Sequence, residues 1–328
     1  MTTSAFIQTK GKIHKKPYFK VASGVWGSKI VFVNVYMVLK EPFSNDWILI
    51  DAAIKGSANK IVNMAKDIFG TGAKPSAIIL THGHFDHTGA LKDLLKIWDV
   101  PVYAHHLEIP YLTGRSSYPP PDPSVGGGLM STLSWMYPKG PIDLKNKIKE
   151  LPADGSLPML TGWRYVYTPG HAPGHISLFR GDDKVLIAGD AFVTTKQESA
   201  FAVMTQKKQL SGPPKYFTND WVAAAASVRQ LADLHPAIAA TGHGKPMFGD
   251  ELDWALQNLA ENFQMLAVPE KGRYVIQPAL MNEQGVQYIP PQQYDPVARA
   301  SIFALVALSL FTILRSIGKN NKTNRHLR

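Results

Sequence analysis

The chain contains no cysteine. No disulfide braces it and no thiolate can hold a metal, so any resident ion must be held by imidazole or carboxylate. A reducing cytoplasm is compatible with that, and residues 1–20, polar and basic, lack the continuous apolar stretch of an export signal, so we expect a cytoplasmic protein. Acidic residues are missing from both ends: residues 1–40 carry seven Lys or Arg and residues 315–328 carry five, with no Asp or Glu in either. Those ends hold twelve of the 35 basic residues and none of the 25 acidic ones, so the formal charge of +10 belongs to them and the body between is near neutral. A near-neutral body argues against nucleic acid as a partner and disfavours a nuclease or phosphodiesterase. There is no evident internal repeat.

Long apolar runs are also scarce. Ala300–Leu314 is interrupted only by Ser301, Ser309 and Thr312, and arginines flank it at 299 and 315. As a helix it would be about 22 Å long, short of the roughly 30 Å hydrocarbon core. Three readings stay open: a marginal span stretched by its arginines, a helix lying on the cytoplasmic face, or a helix docked on protein. A span would carry the basic tail across the membrane, against the positive-inside tendency.

What is present is concentrated in Thr81-His82-Gly83-His84-Phe85-Asp86-His87. The run Ala77 to Leu80 before it reads as a buried strand, and Thr88 to Trp98 after it as a helix. Side chains two apart in extended chain point the same way, so His82, His84 and Asp86 converge and His87 enters from the turn into the helix. Nitrogen and carboxylate donors suit zinc better than calcium or magnesium. Three histidines and an aspartate in six residues have no packing rationale.

Elsewhere strand and helix alternate, which makes the fold α/β. Strands are expected between Val21 and Lys40, at Trp47–Ile50, at Val100–Ala104, and on either side of the Gly181-Asp182-Asp183 turn. Helices are expected from a Ser57 cap to Phe69, from Asn219 to Leu234 and from Glu251 to Ala267. Residues 108–141 break the rhythm with six prolines between Pro110 and Pro138, three consecutive glycines, and Tyr111, Tyr118, Trp135 and Tyr137. That composition predicts a substrate lid or a surface excursion packed on its own aromatics. The Pro- and Gln-rich residues 268–296 read as a wrapping arm or linker, and 297–328 as an apolar helix with a basic tail. The 328 residues thus divide into a basic arm (1–20), a catalytic domain (21–267), that arm and that helix.

Three later positions repeat one arrangement, a short apolar strand delivering a ligand type into a glycine-rich loop: His171, Asp190 and His243. Together with the first cluster they resemble the metallo-β-lactamase-fold hydrolases, whose ordered pattern is His-x-His-x-Asp-His, then His, Asp and His. None of the seven is missing, and the likeness runs from about residue 20 to 267. The run Thr168-Pro169-Gly170-His171-Ala172-Pro173-Gly174-His175 is similar to that of the glyoxalase-II-like and lactonase-like branches.

The resemblance implies a four-layer αββα sandwich with the site at one edge between two sheets. It implies two zinc ions per chain, with iron or manganese as substitutes: one held by His82, His84 and His171, one by Asp86, His87 and His243, with Asp190 between them. The implied activity is hydrolysis of a small ester, lactone or thioester by a hydroxide bridging the metals, with Asp86 orienting the nucleophile and taking its proton. An iron-dependent oxidoreductase of the sulfur-dioxygenase type is the alternative, and a non-catalytic membrane-associated protein is disfavoured by the complete ligand set. His175 is expected to support a ligand rather than to be one. His14, His105, His106, His235 and His326 have no ligand-like partners in sequence. Asp51 either orients a ligand histidine or simply ends its strand, and Lys196–Ser199 are weak candidates for touching substrate.

Overall fold

The computed structural model describes residues 16–41 and 44–292. The apolar run 300–314 and the basic tail, with His14 and His326, lie outside them, and among the described residues no helix is long and apolar enough to cross a membrane.

Seven strands form the first sheet, in sequential order: β1 (Phe19–Ala22), β2 (Val25–Ile30), β3 (Val33–Leu39), β4 (Trp47–Ile50), β5 (Ala77–Ile79), β6 (Val102–Ala104) and β7 (Ile148–Glu150). β1 to β4 pair antiparallel and β4 to β7 parallel. Helices α1 (Ala58–Phe69), α2 (Phe85–Thr88) and α3 (Leu91–Trp98) lie between strands of this sheet in sequence. Residues 106–141 hold only short helical turns, including α4 (Ile109–Leu112) and α5 (Leu129–Thr132). The second sheet has the order β12-β11-β10-β9-β8, from β8 (Trp163–Tyr167), β9 (Ile176–Arg180), β10 (Val185–Gly189), β11 (Ile238–Thr241) and β12 (Met247–Phe248). Here only β10 and β11 run parallel. Helices α6 (Ala200–Thr205), α7 (Trp221–Ala232), α8 (Gly249–Glu261), α9 (Phe263–Leu266) and α10 (Arg273–Ile276) follow, and β13 (Leu280–Asn282) pairs with β14 (Gly285–Tyr288).

Strand alternation builds the layers. In β4, Trp47 and Leu49 face Ile61 and Met64 of α1 and Leu91 and Leu94 of α3, whereas Ile48 and Ile50 face the second sheet. In β10, Val185 and Ile187 meet Ile48 and Ile50 in the inter-sheet core, whereas Leu186 and Ala188 pack on α7 and α8. Strands buried on both faces read as unbroken apolar runs, and period-2 geometry sorts their side chains into separate cores. The result is the αββα sandwich.

Helix ends depart from expectation in three places. Ser57 precedes α1, but its backbone is already helical and its side chain makes no capping bond. The helix expected over Thr88–Trp98 is two, because the backbone around Gly89 docks on the 52–55 loop: Ala52 N–H bonds His87 O at 2.6 Å and Gly89 N–H bonds Ala53 O at 2.7 Å. The last long helix ends at Glu261, and its continuation, α9, starts after Asn262. Residues 268–292 fold back on the excursion: Tyr274 is buried with its hydroxyl donating to Pro120 O at 2.6 Å, and Val286 N–H bonds Ser116 Oγ at 3.1 Å.

Candidate metal centre

Four parallel strands end at one edge of the sandwich. β4 and β5 deliver Asp51 and the 81–87 loop, and β10 and β11 deliver Asp190 and His243; the β8–β9 connection adds His171. Carboxyl ends of parallel strands are where an α/β sheet opens a ligand crevice. The two sheets are tied here by Asn34, whose Nδ2 donates to Thr241 O and Gly244 O at 2.8 Å each, and by the Tyr36 hydroxyl, which donates to Thr241 O at 2.6 Å.

The seven residues are brought together in three overlapping groups whose donor atoms lie within 4.8 Å of one another: His82, His84 and His171; Asp86, His87 and His243; and His82, His87 and Asp190. Asp190 Oδ2 sits between the first two, 3.5 Å from His171 Nε2, 3.6 Å from His87 Nε2 and 3.1 Å from His243 Nε2. His84 Nδ1 lies 3.0 Å from His171 Nε2, and Asp86 Oδ2 lies 3.5 Å from His243 Nε2. Donors about 2.0–2.1 Å from a tetrahedral ion stand about 3.3 Å apart, the spacing these contacts straddle. Asp86 does not join His82 and His84 as strand alternation predicts, because α2 begins at Phe85 and turns it toward His243.

All seven are buried, yet His82 Nε2, His84 Nε2, His87 Nε2 and Asp190 Oδ1 have no hydrogen-bond partner. Leaving such atoms unpaired costs on the order of 1–3 kcal/mol each. The unpaired nitrogens of His82 and His87, two rings grouped with Asp190, fit a metal ion, which would satisfy them.

The far nitrogens of four of the five rings are held, as metal-binding histidines require; Thr81 Oγ1 lies 3.1 Å from His82 Nδ1. Asp51 Oδ2 faces His87 Nδ1 at 2.8 Å and accepts the Thr81 hydroxyl at 2.8 Å, while Oδ1 accepts Thr81 N–H at 2.8 Å. Its φ of 61° is a left-handed conformation that Asp tolerates better than most residues. Asp51 therefore orients a ligand-type histidine and does not merely end a strand. Thr218 Oγ1 lies 3.3 Å from His171 Nδ1, and Phe32 O lies 2.8 Å from His243 Nδ1. His175 faces away from the cluster's centre: Nδ1 meets Thr168 Oγ1 at 2.8 Å and Nε2 accepts Asp190 N–H at 2.9 Å, so it holds the Asp190 backbone.

Charge divides the cluster. Burial, reinforced by neighbouring histidines, holds His82 and His171 well below the ordinary imidazole value and brings His84 down to about 3, so these rings are neutral. Burial opposes the charged form of His87 and His243 too, but Asp190 with Asp51 and Asp86 outweighs it at His87, as Asp190 and Asp86 do at His243, and both are raised. Asp190 is held well below the carboxylate range, since His243 and His87 overcome its burial. Burial raises Asp86 despite the same two histidines.

One residue of the excursion at the site, Glu108, escaped the sequence reading. Glu108 is fully buried; Oε2 accepts Gly83 N–H at 2.8 Å and the Tyr118 hydroxyl, and Oε1 accepts Gly174 N–H at 2.7 Å. Burial pushes its carboxyl up to about 7 against those three donors. Tyr118 stacks on Tyr111 at 4.0 Å and lies edge-on to His84 at 4.6 Å, and farther along Tyr137 lies 5.7 Å from Phe85. The excursion thus packs on its own aromatics and also against the 82–87 loop. A carboxylate among prolines and tyrosines was the available signal.

The remaining candidates lie apart from these donors. His105 stacks on Tyr167 at 4.5 Å beside His106, and exposed His235 pairs with Asp253 at 2.9 Å. Within 196–199, Glu198 packs on the excursion, its carbonyl accepting Met130 N–H at 3.0 Å, and the buried Gln197 amide is unpaired.

The chain belongs to the metallo-beta-lactamase superfamily, whose sequence profile matches residues 29–243, and it is a metal-dependent hydrolase. Among its relatives, "Probable metallo-hydrolase YflN" of Bacillus subtilis (strain 168) is 47% identical over 248 residues, covering 76% of this chain and 94% of that one. "Probable metallo-hydrolase YybB" of the same organism is 27% identical over 207 residues, 63% of this chain and 80% of that one. The fold matches that of BJP-1, a subclass B3 metallo-beta-lactamase of Bradyrhizobium japonicum, with a TM-score of 0.50 at 19% identity over 76% of this chain and 92% of that one.

Proposed function

We propose that this protein is a dinuclear zinc hydrolase acting on a small ester, lactone or thioester. The observation that carries the reading is Asp190 Oδ2, placed within 3.6 Å of His87, His171 and His243, so that one carboxylate faces both donor triads. In this reading His82, His84 and His171 hold one ion, Asp86, His87 and His243 the other, and Asp190 reaches both. Two zinc ions held there would supply Lewis acidity to activate water near neutral pH and to polarise the carbonyl under attack.

The protein's own groups do the rest. Asp86 has the most exposed side chain in the ion pairs of the cluster, at 9%, and its carboxylate is the group placed to accept a proton from the attacking water. His175 keeps Asp190 in place through its backbone, and Asp51 keeps His87 Nε2 turned inward. The aromatic side chains of Phe85, Tyr137 and Phe217 form an apolar wall beside Asp86, which suits a small organic acyl group and keeps bulk water away.

Elemental analysis of the wild-type protein beside His243→Ala tests the reading, followed by a panel of lactones, thioesters and simple esters. Two zinc per chain falling toward one in the variant, with turnover of one of these classes, is the expected result. One iron per chain unchanged by the substitution would replace this reading with an oxygenase.

A further inference from the structure

We propose that Glu108 is a positioning residue for the His82–His84–His171 triad, its carboxylate clamping together the two loops that carry those histidines. This rests on the assignment of that triad as a metal site.

Gly83 lies between His82 and His84, and Gly174 lies three residues beyond His171. Their N–H groups point at the two oxygens of one buried side chain, at 2.8 Å on Oε2 and 2.7 Å on Oε1. The loops belong to different sheets and are joined at their base, where Ile176 N–H bonds Thr81 O at 2.9 Å; Glu108, arriving from the end of β6, adds a second tie beyond that point, between Gly83 and Gly174. Tyr118 completes the clamp, its hydroxyl donating to Oε2 and standing 2.9 Å from Gly83 N.

The same contacts account for both glycines. A Cβ at Gly83 would stand 2.5 Å from the Tyr118 hydroxyl and 3.1 Å from Glu108 Oε2, and one at Gly174 would stand 2.8 Å from Glu108 Cγ. Neither glycine has a left-handed φ, so close approach is what each position requires. A carboxylate offers two acceptors to two fixed donors, and in its ionised form the bonds are charge-assisted and about twice as strong as neutral ones. An amide of the same shape turns an N–H toward one of the donors and breaks one arm of the clamp.

The test compares Glu108→Gln and Tyr118→Phe with wild type, and repeats Glu108→Gln in a His243→Ala background, where the ion left is the one on the first triad. Zinc affinity is read by chelator competition and the coordination geometry by the visible spectrum of the cobalt-loaded protein. Supporting partners of metal ligands are worth about 10- to 100-fold in affinity. Glu108→Gln should weaken one of two ions by that factor, and the single remaining ion of the His243→Ala background equally, with an altered cobalt spectrum. Tyr118→Phe keeps both N–H bonds and should change affinity less. Unchanged affinity and spectrum in Glu108→Gln overturns the proposal. So does equal weakening of both ions with a lowered melting temperature, which marks a general structural role. A wild-type chain holding one ion sinks the dinuclear reading and leaves the comparison on that ion to decide the clamp, and a chain holding none overturns both.

Discussion

Asp51 Oδ2 and His87 Nδ1 stand 2.8 Å apart with both side chains buried. The contact fixes which ring nitrogen carries the proton and turns His87 Nε2 toward Asp190, while Thr81 holds the carboxylate from two sides. In Asp51→Asn an amide N–H confronts either His87 or Thr81. Zinc affinity should fall about 10- to 100-fold, read by competition with a chromogenic chelator.

His175 gives the opposite expectation. It accepts Asp190 N–H and contributes no donor to the three groups. His175→Ala should still bind two ions by elemental analysis. Leaving the buried Asp190 N–H unpaired costs about 1–3 kcal/mol, visible as a lower urea midpoint. A variant that binds one ion at full stability would contradict this placement.

Asp86→Asn preserves shape but removes the charge and the proton acceptor. Turnover should drop on the order of 10²-fold or more, with the Asp86–His87–His243 ion also weakened. Steady-state rates at saturating zinc separate the two effects, since excess metal restores only occupancy.

Metal uptake should release protons from one triad only. In the metal-free protein His87 and His243 have pKa values raised above the ordinary 6.5, so at pH 6.5 both are mostly protonated and an ion must displace those protons, whereas His82, His84 and His171 are already neutral. Calorimetric titration of metal-free protein in buffers of different ionisation heat should show one binding step releasing up to two protons and one releasing none. Because the two values are raised, their contribution to the metal-free fold is complete below pH 6.5 and fades as pH rises through them. Chelated protein should therefore lose melting temperature on the alkaline side, where the zinc-loaded protein holds its own.

The donor set was legible in the chain because its chemistry is local. His82, His84, Asp86 and His87 lie within six residues, and His171, Asp190 and His243 each follow an apolar strand or stand in a glycine-rich loop. The layers were legible for a similar reason: runs such as Trp47–Ile50 and Val185–Ala188 are apolar throughout, which calls for burial on both faces. Helix boundaries were less so, since Gly89 interrupts α2 and α3 through a contact with Ala53 that no local pattern announces.

The sequence by itself determined which donor types and what kind of fold the chain offers, because ligand type and strand burial follow from side-chain chemistry and period-2 geometry. Only the tertiary structure decided how the donors are held. Asp51 reaches His87 across 36 positions, and Glu108 joins Gly83 to Gly174 across 25 and 66. Such pairings depend on which strand ends the two sheets bring to a common edge, and that is set by the packing of the whole sandwich.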